Sequence, residues 1–439
     1  MAKGVRVVGV VLLAALVVFG LLVGYARWQL AKQSPDGIWE YDLGGLSGGV
    51  HVGGDTVLVV ETLGDDGWVA LDLEDGSRLA GESDISVVSA SLAVNGWFAV
   101  QSGDPTHPGL KVYDDAGQQV WASAADDQST FRVISMADDG AVIGGCVDQA
   151  CQLQKIGPNG DVIWERPTAT GESAWGATWA TASPSERIGH QVRTPSVPAV
   201  VVDDRVRVLD ENGKVTEPSG DVAHTVVADT MVVSATVEDD ECRFRAWRAD
   251  GEVWNSATPC PGAPDAPSLG LTMGDRMFVR VGGDTGALSV DLHDGRTTPV
   301  RTARPHAFDP ESLTAVAMSD QVIVEQERSA FTGWSAETGK KIWEYDGPGP
   351  TAGLIDSRKK TRYPGVAVSG DKVSILSTQK PWWKPFALGA EVSGSTTRIL
   401  DARTGEQIAF YRSPYLYSWA SVDDGLLLLS DRTLRLLRD

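Results

Sequence analysis

Histidine and cysteine are scarce in this 439-residue chain, at six and four copies. The histidines, His51, His107, His190, His224, His293 and His306, are scattered and form neither an HExxH nor an H-x-H spacing. They read as loop or strand-end residues and not as metal ligands. No GxSxG, P-loop or GxGxxG stretch stands in the strand-to-helix context that gives those motifs their chemistry. Basic residues are also short, 38 against 59 acidic ones, for a net charge of −21. Such a field repels nucleic acid and anionic lipid, so nucleic-acid binding is not expected. Amphipathic helical periodicity is missing, which sets aside a helical solenoid.

There is one long apolar run, Val7 to Tyr25, uncharged throughout and long enough to cross a bilayer as a helix. Lys3 and Arg6 precede it and Arg27 and Lys32 follow, with no small-x-small cleavage site and no cysteine placed for lipidation. It reads as an uncleaved signal anchor over residues 1–32. The expected topology is single-pass, N-terminus cytoplasmic, with residues 33–439 outside the cell membrane. Because 1–32 contain no acidic residue, the exported part is more negative than the whole chain.

Four cysteines in an exported chain suggest disulfides, with three possible connectivities. Cys146 and Cys151 bracket four residues, a spacing that faces them across a β-hairpin; Cys242 and Cys260 form the other expected pair. The rival, a zinc site of all four thiolates, wants CxxC-like pairs that the sequence lacks.

What the chain has in abundance is a repeat. A β-rich run, a polar turn ending in glycine and a second strand recur at Gly76, Gly117, Gly160, Gly213, Gly251, Gly295, Gly339 and Gly405. Asp-Gly, Asn-Gly and Thr-Gly supply the positive φ of tight hairpins. An apolar strand precedes most of them, as in Val57-Leu-Val-Val or Met231-Val-Val-Ser. A period near forty with about four strands per unit predicts an all-β chain folded as a β-propeller. Tryptophan follows the turn at a near-fixed offset in Trp121, Trp164, Trp254 and Trp343, where a large ring fills the gap between neighbouring wedges.

The stretch IWEYD occurs twice, at Ile38–Asp42 and Ile342–Asp346. The first copy, with Trp39, is an outer strand that lacks its hairpin partner. The final run, Gly425 to Asp439, lacks an outer strand. Pairing the two closes the ring and removes two free sheet edges.

The segments Ile399-LDARTGEQIAFY-411 and Trp334-SAETGKKIWEYD-346 resemble the quinoprotein-like repeat, in which ALDxxTGxxxW recurs once per blade. The resemblance covers about residues 36–439. Raw counting gives nine units, but eight is the commoner size in that family and the unit around Gly213 is the weakest, so eight blades are expected and nine is the alternative. The family's dehydrogenases hold calcium and a quinone beneath a pair of adjacent cysteines. No Cys-Cys occurs here, and no catalytic, cofactor or metal residue carries over. Its non-catalytic members act as binding platforms of the bacterial envelope.

Repeated Asp-Asp pairs read as turn residues, since none fits a calcium loop. Two stretches break the repeat. Arg358, Lys359, Lys360 and Arg362 concentrate positive charge, and Trp382, Trp383 and Phe386 lie among prolines that keep a loop out of the ladder. Basic and aromatic residues together suit partner contact; Trp175 and Trp179 are weaker candidates. The functional expectation is a membrane-tethered, non-catalytic interaction scaffold or accessory subunit that needs no cofactor. Ligand or glycan sensing and a quinone-dependent dehydrogenase are the alternatives.

Overall fold

A computed structural model describes residues 17–26, 37–43, 46–63, 67–93, 95–102, 109–123, 130–147, 150–177, 194–261, 267–273, 275–282, 286–300, 316–319, 321–327, 330–346, 362–369, 371–378, 395–413, 418–422, 425–430 and 433–437. Of the apolar run, 17–26 form a helix, and residues 7–16 lie outside the described residues. Among the described residues no helix is long and apolar enough to cross a membrane.

The rest is a ring of nine antiparallel sheets. Blades 1 to 3 span 46–83, 87–122 and 130–167; blade 4 is built on 199–221; blades 5 to 8 span 225–259, 268–300, 316–346 and 362–413. Blade 9 joins the strands of 418–437 to strand Trp39–Asp42. The expectation of eight blades is therefore corrected to nine. The unit around Gly213 is a true blade whose strands Ala199–Val202, Arg205–Leu209 and Val215–Asp221 pair in order. It looked weak because its first strand is irregular. Residues 172–177 run beside Ala199–Val202, with a bridge from Glu172 to Val202 and amide bonds from Ser173 to Val201 O (2.8 Å) and from Ala177 to Ala199 O (2.9 Å).

Burial follows strand position. Some second strands are covered on both faces and read as apolar runs, such as Gly425–Ser430, where Leu427, Leu428 and Leu429 are buried. Outer strands alternate, as in Lys341–Asp346, where Trp343 points in while Ile342 and Glu344 are exposed. Each hydrophobic cluster among the described residues spans two consecutive blades and not the interior of one. Val57, Val59 and Leu71 of blade 1, for example, pack with Leu427, Leu434 and Leu436 of blade 9.

The clasp takes the expected form. Trp39 to Asp42 pair with Leu436 to Thr433 in antiparallel register. The two-residue hairpin turns Asp203-Asp204 and Asp239-Asp240 hold both residues at positive φ, a conformation that aspartate tolerates better than most side chains. Both disulfides are present. Cys146 and Cys151 are direct cross-strand neighbours with Cα atoms 3.9 Å apart, and Cys242–Cys260 lies fully buried in the core shared by blades 5 and 6.

Trp39 belongs to the blade 9–blade 1 core and is 8 % exposed. Trp39→Ala is expected to cost about 3–5 kcal/mol, read as a lower denaturant midpoint. Removing residues 33–42 is expected to make the propeller part aggregate, read by size-exclusion chromatography, because it bares the unpaired edge of strand Thr433–Leu437.

Candidate interaction site

Outer-strand tryptophans join several blades to the next. Trp39, Trp254 and Trp343 lie under the turn glycine of the following blade; a Cβ added at Gly76, Gly295 or Gly405 would sit 2.6, 2.6 and 2.8 Å from the ring. Each indole Nε1–H donates to the carbonyl three residues before that glycine: Leu73 O at 2.9 Å, Leu292 O at 2.8 Å and Ala402 O at 2.7 Å. These turns begin with an aspartate four residues before the glycine, and the glycine amide bonds back to its carbonyl.

Trp164 sits the same way against Gly213, with a Cβ there 2.8 Å from the ring, yet its Nε1 is buried with no partner among the described residues. The cause is turn length. Asp210-Glu-Asn-Gly213 is one residue shorter, so Gly213 N bonds to Asp210 O three residues back, and no spare carbonyl faces the indole. The turn at Gly160 is short as well. There the Val120 carbonyl lies against the glycine, and Trp121 instead meets Phe131 of blade 3 edge-on, with centroids 6.0 Å apart.

Beside the unpaired indole is a cavity of about 210 Å³ between blades 3 and 4. Its lining includes Ser135, Asp139, Lys155, Trp164, Asp210 and Glu211. Lys155 Nζ pairs with Asp139, and the Asp210 carboxylate accepts the amides of Asn212 and Lys214. Deeper in the junction, a different interaction replaces the missing indole bond. Arg166 Nε donates to Gly213 O at 2.6 Å, while its two terminal nitrogens grip Glu172 at 2.7 and 2.6 Å. The Glu172 side chain is fully buried. Burial pushes its carboxyl up, but hydrogen bonds from Arg166 and the Ala169 amide, with the guanidinium charge, outweigh that and hold it below the usual glutamate range.

Near the inner edge of the same junction, exposed Trp175 carries the Arg132 guanidinium over its ring at 5.3 Å. Nothing in the sequence pattern pairs Arg166 with Glu172, because the contact crosses from an outer strand to an irregular inner one. A GxSxG match at 45–49 falls on strand Leu46–Gly53 and not on a strand-to-helix elbow. No group of His, Cys, Asp or Glu among the described residues is arranged to hold a metal ion.

Of the proposed partner contacts, Arg358, Lys359, Lys360, Trp382, Trp383 and Phe386 lie outside the described residues, as does Trp179, and Arg362 opens strand Arg362–Ser369. Strand order still fixes where their segments attach. Residues 347–361 join the last strand of blade 7 to the first of blade 8, and 379–394 join the second and third strands of blade 8. In an antiparallel meander both kinds of connection leave from one face of the ring.

No protein-family model matches the chain, and no curated protein matches it. Among solved structures it is similar to BamB from Moraxella catarrhalis, at 10% identity and TM-score 0.41, over 92% of this chain and 99% of that one. It is also similar to a eukaryotic initiation factor (11%, TM-score 0.47, 84% and 88%) and to the C-terminal WD40 domain of Sif2 (7%, 0.43, 92% and 98%). The fold assignment rests on the strand pairings above.

Two outcomes follow from the junctions. Trp343→Phe, which strands the Ala402 carbonyl, is expected to destabilise by roughly 1 kcal/mol more than Trp164→Phe, which removes a donor already unpaired; paired denaturation curves read the difference. Glu172→Gln is expected to cost roughly 2 kcal/mol at neutral pH. A carboxyl held low in the folded state stabilises above the ordinary glutamate range and loses that contribution as pH falls through its native value. The gap between wild type and Glu172→Gln should therefore close below about pH 4.5, the ordinary value, in urea titrations at stepped pH.

Proposed function

We propose that this protein is a membrane-tethered, extracytoplasmic β-propeller that serves as a non-catalytic interaction scaffold or accessory subunit of an envelope complex. The observation that carries the reading is the clasp. The strand that completes the ring is the first after the apolar N-terminal segment, with only residues 27–36 between the helix 17–26 and the ring, so a tether would join the propeller at its point of closure. Two disulfides support an oxidising compartment outside the cytoplasm. The quinoprotein-like repeat at Trp334–Asp346 supports a platform, since function on such a fold is set by what is grafted onto it. The partner-contact surface is assigned to the segments carrying Arg358, Lys359, Lys360, Arg362, Trp382, Trp383 and Phe386, which attach to one face at blades 7 and 8. The net negative charge supports a protein partner over nucleic acid. Ligand sensing is the second reading, favoured by the cavity beside Trp164.

The test is purification of the tagged full-length protein from native membranes in mild detergent, with mass spectrometry and an absorption spectrum on one sample. A stoichiometric envelope protein is expected, and replacing Trp382 and Trp383 with alanine should release it. A colourless, partner-free preparation removes the scaffold reading, and a quinone-like absorption band replaces it with an enzyme.

A further inference from the structure

Eight of the nine blades are continuous in sequence, and each turns from its third strand to its fourth through a hairpin. Blade 9 does not. Its third strand, Thr433–Leu437, pairs with Trp39–Asp42, which arrives from the other end of the chain. The missing third-to-fourth turn is the place where the N-terminal segment enters the ring, marked by the bond from Ile38 N to Leu436 O at 2.8 Å.

Because the strands alternate in direction, turns between first and second strands share a face with turns between third and fourth. The connections between second and third strands, and those between blades, occupy the opposite face. We infer that the face carrying the first-to-second and third-to-fourth turns is held toward the membrane at blades 9 and 1, and that the opposite face points away from it. The inference rests on the tethered reading given above, which it extends from attachment to orientation.

The tether sets the limit. Ten residues, 27–36, separate the helix 17–26 from the ring, and even fully extended they reach no more than about 35 Å. A strand such as Gly67–Asp72 has six residues and spans about 20 Å, so turning the ring over uses up most of that reach. The lipid surface is the occupant, and proximity, not adhesion, brings it there. The turns on this face carry exposed carboxylates at Asp55, Glu74, Asp75, Asp139 and Glu211, which an anionic leaflet repels. On the far face are the attachment points of 347–361 and 379–394 at blades 7 and 8, so a partner engaged there meets the ring from the side away from the bilayer.

All four native cysteines are in disulfides, so an introduced cysteine is the one reactive thiol. Asp55→Cys labels the near face of blade 1 and Ser83→Cys the far face of the same blade, and both positions are exposed. Each full-length variant, carrying a donor dye, is reconstituted into phosphatidylcholine vesicles containing an acceptor-labelled lipid. Energy transfer at least twofold higher from position 55 than from position 83 is expected, falling toward equality when a twenty-residue Gly/Ser spacer is inserted between 36 and 37. Equal or reversed transfer, in protein that floats with the vesicles, overturns the orientation while leaving the tether intact. Protein that fails to float overturns the tether itself, and the orientation with it. A difference that survives the spacer overturns the tether as its cause.

Discussion

A blade of this ring cannot bury its own apolar faces. Its middle strands bury apolar side chains, and each cluster they join among the described residues is completed by a neighbour: Val322 and Val324 of blade 7 by Val366 and Ile375 of blade 8, Val233 and Ala246 of blade 5 by Met277 and Leu288 of blade 6. An open arc would leave two such faces in water, at about 25 cal/mol for each Å² of apolar surface exposed. Closure is thus the condition on which the last junction depends, and it is met by four residues, Trp39 to Asp42. The core shared by blades 9 and 1 is completed by a strand from the far end of the chain.

Within that constraint, local chemistry decides how firmly each junction is held. At the long turns of Gly76, Gly295 and Gly405 an indole is both packed and hydrogen-bonded, as at Trp343 and Ala402. Where the turn is one residue shorter, as at Gly213, the ring still packs but its N–H is unpaired. A buried bidentate ion pair, Arg166 with Glu172, then takes over the hold on the turn. The two solutions differ in kind. The first is indifferent to pH, while the second depends on the charge of a buried carboxylate.

Much of the ring was legible in the sequence because the same physical problem is solved nine times. The glycine turns and the flanking apolar strands reveal the blades, and the doubled IWEYD reveals the clasp. The cysteine spacing likewise points to the two observed disulfides. The raw count of nine units was right, and the family's commoner size of eight misled at blade 4, whose residues 172–177 pair irregularly and stand apart from Ala199–Val202 in sequence, so no periodic pattern marks them as a strand. The cavity beside Trp164 was illegible for a related reason. Asp210-Glu-Asn-Gly213 is plainly shorter than Asp72-Leu-Glu-Asp-Gly76, but the consequence falls on a tryptophan in the preceding blade. A repeat read one unit at a time does not show what adjacent units do to each other.

Blade 8 makes the same point from the opposite side. Four residues after its turn glycine, where blades 3 and 7 place Trp164 and Trp343, it carries Ala409, and the blade that follows is the one without a continuous third-to-fourth turn. A ring residue and the turn that receives it are encoded in different repeats, so the unit that must stay intact is the seam and not the blade. Copying one blade into another position would carry half of each of two seams. Repeats in such a ring are therefore not interchangeable parts, and their divergence is a record of which neighbour each one has to fit.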